Sequence, residues 1–99
     1  MHVINFATYI PDPAAVQRLR PTHRAYMDEL TAQGRLIAGG PFVDGTGALF
    51  LYEAPSLEAA QAIVAADPYT TGGAFASTEL KVWDVVKAEP TLLAPSVPA

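Results

Sequence analysis

Hydrophobic and polar residues alternate along residues 2–10 of the chain. The stretch "HVINFATYI" is rich in β-branched and aromatic residues, and its alternation sets Val3, Asn5, Ala7 and Tyr9 against Ile4, Phe6 and Thr8. This period of two predicts a β-strand. The following "PDP" ends the strand and offers Asp12 as an N-cap, with Pro13 at the first helical position.

From Pro13 the hydrophobic period lengthens to that of a helix, which we expect over residues 13–34. One apolar stripe on this helix gathers Val16, Leu19, Tyr26, Met27 and Leu30. A proline lacks the N–H and its ring clashes with the preceding turn, so we expect a kink or a short helix before Pro21. The main helix would then start near Thr22 and end at Gly34 as the C′ residue.

Three further strands and a second helix follow. "RLIAGGPFV" and "ALFLYEA" predict a hairpin around the turn signal "DGTG", with the nearly all-apolar second strand covered on both faces. "PSLEAAQAIVAAD" predicts a helix with Ser56 as N-cap, and "STELKVWDVVK" predicts the last strand. The order β-α-β-β-α-β predicts an α+β, ferredoxin-like fold with a four-stranded antiparallel sheet and both helices on one face. Residues 1–88 would form this domain and 89–99 a Pro/Ala-rich tail.

The second face of such a sheet carries no helix. We therefore expect apolar residues such as Phe6 and Trp83 to be exposed there. The composition, with 51% hydrophobic and 16% charged residues, agrees with a rather apolar surface. Stacking two sheets face to face would bury these residues, which predicts a homodimer.

The overall composition limits the partners and cofactors. The chain has 99 residues, a net charge of −4 and no basic face suited to a phosphate backbone, so we expect no nucleic-acid binding. It has no cysteine and two histidines far apart in sequence, which argues against disulfides, thiolate chemistry and a metal site. No phosphate-binding loop or nicotinamide motif is visible, so we expect no cofactor. Neither a membrane span nor a secretory signal is evident, so we expect no membrane association and a cytoplasmic location.

One residue on the apolar stripe of the first helix is ionisable. His23 lies four residues after Leu19 and four before Met27. It is either a core histidine that hydrogen-bonds a carbonyl, or an acid or base held under the helix, because histidine exchanges protons near neutral pH.

A catalytic base needs an orienting partner, and Asp67 in "AADPYTTGG" is the candidate. At the end of the second helix this carboxylate would be unfavourable against the helix dipole unless a cation such as an imidazolium lay beside it. The antiparallel helices of a ferredoxin-like fold bring the start of the main first helix near the end of the second, which predicts that His23 and Asp67 meet. The alternative is that Asp67 is only a turn residue before Pro68.

Four further residues are candidates for contact with a ligand. Arg20, near the start of the main first helix, would bind an anionic group or point to solvent. Gly40, together with Gly39, lets the backbone approach a ligand closely or forms a β-bulge, and Pro41 would complete that wall. Tyr69 lines a pocket or merely packs.

Three sequence motifs resemble those of one known family, the YCII-related domain. They are the Arg-Pro-x-His that ends at His23, the "GRL" and "GGP" of residues 34–41, and the "DPY" that starts at Asp67. The resemblance covers residues 1 to about 88. It implies a ferredoxin-like dimeric α/β barrel, similar in fold to muconolactone isomerases, with His23 and Asp67 as a His–Asp active-site pair. One branch of the family includes a dehydrochlorinase acting on a chlorinated hydroxyhydroquinone, but most members have no assigned substrate.

Together these features predict a small cofactor-independent enzyme, an isomerase or a dehydrochlorinase-like lyase, acting on a small cyclic or aromatic substrate. His23 would move a proton and Asp67 would hold its tautomer. Arg20 and Tyr69 would position a phenolate or carboxylate. The alternative is a non-catalytic, ligand-binding or structural dimer in which His23 and Asp67 tie the helices together. An open cleft beside His23 favours the enzyme, and a packed side chain there favours the structural role.

Overall fold

Four strands form one sheet that helices cover on one face. The computed structural model describes residues 1–93 and residue 95. In chain order the elements are β1 (His2–Tyr9), α1 (Pro13–Ala32), β2 (Leu36–Pro41), β3 (Gly47–Glu53), α2 (Leu57–Ala65), α3 (Pro68–Thr71), β4 (Phe75–Trp83) and a short 3₁₀ helix (Pro90–Leu92). The strand order is β2-β3-β1-β4, and every neighbouring pair is antiparallel. The predicted α+β, ferredoxin-like βαββαβ arrangement is confirmed, with α3 as an addition.

The core lies between the helices and one face of the sheet. Its buried side chains come from β1, β3 and the two longer helices, and include Val3, Ala7, Phe50, Tyr52, Leu30 and Ile63. Asn5 belongs to the same inward row of β1 and is fully buried. The alternation in the sequence therefore assigned this strand to its correct face, including one polar residue in the core.

The opposite face of the sheet is apolar and uncovered in the single chain. The predicted exposure of Phe6 and Trp83 is confirmed, since the two residues are 49% and 48% exposed. In the single chain the third strand is covered on one face only, so its expected coverage on both faces stays a prediction that depends on the homodimer. Leu49 of β3, which pairs with Phe6, is 42% exposed, because both longer helices lie on the other side of the sheet. The homodimer that would cover this face stays a prediction.

Helix α1 begins where the sequence predicts and passes through Pro21 without a break. Asp12 caps it by accepting the N–H of Ala15 at 3.2 Å. The alternative of a separate short helix before Pro21 is wrong, whereas the kink stays a prediction. The proline removes one hydrogen bond, and the carbonyl left over belongs to the exposed residue Gln17. The helix ends at Ala32, and Gly34 follows with φ of 71°, the left-handed conformation of a C′ glycine.

Strand β4 begins two residues before the predicted strand and ends four residues earlier than predicted, at Trp83. The strand ends at Trp83 because its partner strand, β1, extends no further. Trp83 pairs with His2, the first residue of β1, and Met1 turns instead to the Ala54 carbonyl through its amino group at 2.7 Å. No residue of β1 remains to continue the ladder.

Beyond β4 the described chain carries only the 3₁₀ helix, which Glu89 caps through the N–H of Thr91 at 3.3 Å. Leu92 and Leu93 are exposed. The predicted tail, residues 89–99, includes residues 94 and 96–99, which lie outside the described residues, and the boundary at residue 88 stays a prediction. In the part of the chain that the structure describes, no helix is both long enough and apolar enough to cross a membrane.

Candidate active site

His23 and Asp67 form a buried hydrogen-bonded pair. His23 Nδ1 lies 2.7 Å from Asp67 Oδ1. His23 is 6% exposed on the core side of α1, and Asp67 is 1% exposed. This distance is typical of a charge-assisted hydrogen bond, and the burial limits competition from water. The two residues meet as the topology predicts, while their catalytic role is a matter for proposal.

The local structure around Asp67 differs from the prediction. Asp67 does not end the second helix, because α2 stops at Ala65 and Ala66 is its C-cap. It is the N-cap of α3, and its Oδ1 also accepts the N–H of Tyr69 at 2.8 Å. A carboxylate is favourable at a helix N-terminus, so the predicted conflict with the helix dipole does not arise.

The contacts of Asp67 determine which nitrogen of a neutral His23 ring carries the proton. A carboxylate only accepts hydrogen bonds, so Nδ1 donates and Nε2 keeps a lone pair. Within residues 1–93 and 95, Nε2 has no hydrogen-bond partner. Nε2 is not fully buried. In that part of the chain, the one side-chain polar atom that is both fully buried and without a partner is Asn5 Oδ1. Nε2 therefore carries an unpaired lone pair at a position that is not completely sealed, although His23 as a whole is 6% exposed.

Tyr69 connects the His23–Asp67 pair with Arg20, which lies about one turn earlier on α1. Its ring stacks on the His23 ring with centroids 3.8 Å apart and 11° between the planes. Its hydroxyl accepts a hydrogen bond from Arg20 Nε at 3.0 Å, and this bond raises the pKa of the Arg20 guanidinium. Phe50 meets the His23 ring edge-on at 5.6 Å. The imidazole is thus held at Nδ1 by Asp67, on one face by the Tyr69 ring and edge-on by the Phe50 ring.

A groove of about 520 Å³ opens between the end of β1, the first turns of α1 and the β2–β3 hairpin. Its walls include Tyr9, Val16, Arg20, Pro41, Phe42 and Thr46. This volume falls within the range of small-molecule sites, roughly 300–1,000 Å³. Arg20 is the only charged side chain among the described residues that line it. Among the described residues, no three His, Cys, Asp or Glu side chains are grouped closely enough to hold a metal ion.

Only some of the predicted site residues line the groove. Arg20 and Pro41 line it, whereas His23, Asp67 and Tyr69 do not. Arg20 and His23 are three residues apart on one face of α1, so the imidazole lies about one turn beyond the groove.

Gly40 lies on the outer face of the sheet rather than at the groove. The pairing of β2 with β3 shifts between Leu36 and Ala38, and this irregularity reverses the alternation that follows. Gly39 therefore faces inward, where an added Cβ would lie 2.7 Å from atoms of Met27 and Phe50. The close approach that the sequence predicted for the glycine pair occurs at Gly39, and it is to a protein side chain. Gly39 leaves room for Phe50, which in turn contacts His23.

Tyr9 belongs to the site although its sequence context assigned it no role. Its ring lies parallel to Phe75 at 6.2 Å and meets Tyr69 edge-on at 5.7 Å. Burial, and then the neighbouring Tyr69, raise the pKa of the Tyr9 phenol, while the Arg20 guanidinium acts in the opposite direction. The phenol stays neutral near pH 7 and can donate a hydrogen bond. The available signal was its place as the last inward residue of β1, before the helix that carries Arg20.

A second buried polar pair lies in the same layer. Asn5 Nδ2 donates to the Tyr52 hydroxyl at 3.4 Å. Burial raises the pKa of Tyr52 far above its ordinary value, and the nearby Asp67 carboxylate adds to the effect. Tyr52 is therefore a neutral core phenol at every pH near neutrality.

Comparison with known protein sequences gives one family and several relatives, of which two are described. A sequence model of the YCII-related domain family matches residues 1–84. The uncharacterized protein YjpA of Bacillus subtilis is 42% identical over 65 residues, which cover 66% of this chain and 75% of that protein. Protein YciI of Escherichia coli is 38% identical over 73 residues, covering 64% of this chain and 74% of that protein.

The solved structures similar to this one include two that bear on its fold. The first is 5-chloro-2-hydroxyhydroquinone dehydrochlorinase (TftG) from Burkholderia phenoliruptrix, in complex with 2,5-dihydroxybenzoquinone. It matches with a TM-score of 0.77 and 26% identity, over 85% of this chain and 94% of that chain. The second is Rv0793 from Mycobacterium tuberculosis, with a TM-score of 0.56 and 16% identity over 90% of this chain and 100% of that chain. At that identity Rv0793 supports the fold alone.

Proposed function

The chain belongs to the YCII-related domain family, and from that premise we propose that it is a small, cofactor-independent enzyme that moves a proton on a cyclic or aromatic substrate. His23 is the acid or base and Asp67 orients it. The observation that carries the proposal is the buried 2.7 Å contact between His23 Nδ1 and Asp67 Oδ1, with His23 Nε2 left unpaired.

The proposed chemistry needs only one well-placed base. His23 Nε2 takes a proton from a hydroxyl or from a carbon next to a carbonyl, and Asp67 stabilises the imidazolium that forms. The electron pair released in this way forms a new π bond. In an elimination the leaving group departs with its own bonding pair, and in an isomerisation His23 returns the proton to another atom of the substrate. Such acid–base catalysis typically contributes about 10²–10⁴-fold to the rate.

The similarity to TftG supports a reaction of this class. That protein is a dehydrochlorinase, and its ligand in the similar structure is 2,5-dihydroxybenzoquinone, a small ring with oxygen substituents. We assign substrate contact in this chain to Arg20 and Pro41, which line the groove, and a supporting role to Tyr69 behind them. The substrate would extend from the groove along α1 towards His23 Nε2.

A second candidate is a ligand-binding module in which the His23–Asp67 pair is structural. Two observations favour it: His23 is 6% exposed, and it does not line the groove. In this case the pair joins α1 to α3, and the groove binds a ligand without transforming it.

Incubation with lactones, catechols and chlorinated hydroxyhydroquinones, followed by mass spectrometry, separates the two candidates. The enzyme hypothesis predicts turnover of at least one compound and a loss of about 10²-fold or more in His23→Gln. The matched control is His2→Gln, since His2 is a half-exposed histidine that lies 3.5 Å from Glu53, where β1 begins and β3 ends. Equal turnover by wild type and His23→Gln would contradict the enzyme hypothesis.

We also propose that two copies associate through the outer face of the sheet, where Phe6, Leu49 and Trp83 are exposed. Burial of such a contiguous apolar area drives association, and one self-complementary face is the usual basis of a two-fold dimer. A cytoplasmic location stays a prediction.

A further inference from the structure

Three polar side chains converge at one end of the groove. Arg20 donates through Nε to the Tyr69 hydroxyl at 3.0 Å. Tyr9 lies close to both, since its ring meets the Tyr69 ring edge-on at 5.7 Å and it lines the groove together with Arg20. Tyr9 and Arg20 line the groove, whereas Tyr69 is buried behind them. Two donors therefore face the groove, and a third residue supports them.

We propose that Tyr9 and Arg20 form an oxyanion clamp, which holds an ionised oxygen of a flat, single-ring substrate, and that Tyr69 is the positioning residue that fixes the guanidinium. This inference rests on the proposed function in one respect, because it takes the groove as the place of the substrate. It adds a contact residue, Tyr9, and a charge requirement for the ligand.

The charge of the groove supports an anion. Among residues 1–93 and 95, Arg20 makes no ion pair with a carboxylate, and no Asp or Glu lines the groove. Nε donates to Tyr69, and among the described residues no carboxylate accepts from the two terminal nitrogens of the guanidinium. These nitrogens form a planar fork that matches a carboxylate or a pair of neighbouring ring oxygens.

The shape of the groove supports a flat ring. Its walls include the Tyr9 and Phe42 rings and Pro41, which offer broad apolar surfaces to the carbon atoms of a ligand. The neutral Tyr9 phenol can donate its hydrogen to the same oxygen that Arg20 binds. A neutral ring of the same size would fill the groove but leave the guanidinium without a counter-charge.

Benzoate and benzamide are matched probes for the clamp, because they share size and planarity and differ in charge. We expect the wild-type protein to bind benzoate at least about tenfold more tightly than benzamide in NMR titrations, since a hydrogen bond to a charged group is worth roughly that factor. Tyr9→Phe should weaken benzoate binding about five- to tenfold and benzamide binding less, because the benzamide oxygen accepts only a neutral hydrogen bond from the phenol. Arg20→Gln should remove the preference for benzoate.

The control variant is Tyr26→Phe, because the Tyr26 hydroxyl donates to the Ile63 carbonyl at 2.6 Å and is absent from the groove. It should bind benzoate as the wild type does. Equal affinities for the two probes, no benzoate binding at millimolar concentration, or an equal effect of Tyr9→Phe on both probes would overturn the clamp. His23→Gln should still bind benzoate. A protein that binds benzoate as described but turns over no substrate would overturn the proposed function and leave the clamp intact.

Discussion

The ring of Tyr69 lies parallel to the ring of His23, with centroids 3.8 Å apart. The same tyrosine donates its backbone N–H to Asp67 Oδ1 at 2.8 Å and accepts a hydrogen bond from Arg20 Nε. It therefore contacts the candidate base, the carboxylate that orients it and the cation of the groove. This arrangement accounts for an imidazole on the apolar face of α1, since its face and Nδ1 are held by protein and Nε2 remains available.

Tyr69→Phe separates the two contributions of this residue. The variant keeps the stacked ring and the backbone bond to Asp67 but removes the acceptor for Arg20. We expect the free energy of unfolding to fall by about 1 kcal/mol, because one hydrogen bond is lost. We also expect KM to rise by a larger factor than kcat falls, because Arg20 contacts the substrate and His23 is unmoved. Urea unfolding and steady-state kinetics measure both. A loss confined to kcat would show that the hydroxyl acts on the chemistry instead.

A single substitution on the outer face of the sheet should change the oligomeric state. We expect light scattering to give about twice the 10.5 kDa mass of the chain for the wild type, and the single-chain mass for Phe6→Glu. Val43→Glu is the control, because Val43 is fully exposed in the β2–β3 turn. A wild-type mass near 10.5 kDa across micromolar concentrations would contradict the dimer.

Deletion of residues 89–99 should leave a cooperatively folding protein. The described part of this segment forms local hydrogen bonds between Glu89 and Thr91, and its leucines are exposed. We expect a single thermal transition within a few degrees of the wild type. A deletion from residue 79 onward, which removes half of β4, should abolish the transition. If the shorter deletion also unfolds the protein, the tail is part of the core.

Stability should fall at alkaline pH because of Tyr52. Burial raises the pKa of this phenol in the folded protein, whereas in the unfolded chain it is about 10. Above that pH the unfolded chain has lost a proton that the folded protein retains, so the free energy of unfolding decreases as pH rises. Tyr52→Phe should make this decrease with pH less steep. Tyr26→Phe should have a smaller effect, because the pKa of the Tyr26 phenol is raised less than that of Tyr52. Urea unfolding at several alkaline pH values tests the slopes, and an unchanged slope in Tyr52→Phe would contradict this explanation.

The elements of the fold were predictable because their hydrophobic periods are clear, but their ends were not. The end of β4 depends on where β1 begins, through the pairing of Trp83 with His2. The continuity of α1 through Pro21 depends on whether an exposed turn tolerates one lost hydrogen bond. Neither property can be seen in a local pattern.

The candidate site was predictable only in part. Topology brought His23 and Asp67 together, although Asp67 caps α3 rather than ending α2. The orientation of Gly40 depends on the irregular pairing in β2, which a strict alternation cannot reveal. Tyr9 was missed because a strand pattern shows which residues face inward and does not show which of them reaches a groove.

The central claim is that Asp67 holds His23 with the proton on Nδ1 and the lone pair on Nε2. The most direct test is ¹⁵N NMR of the imidazole nitrogens in alkaline buffer, for wild type and for Asp67→Asn, with His2→Gln present in both to leave one ring signal. We predict the Nδ1–H tautomer in wild type and a shift towards the Nε2–H tautomer in Asp67→Asn. An Nε2–H tautomer in the protein that retains Asp67, or identical spectra for the two proteins, would contradict the account.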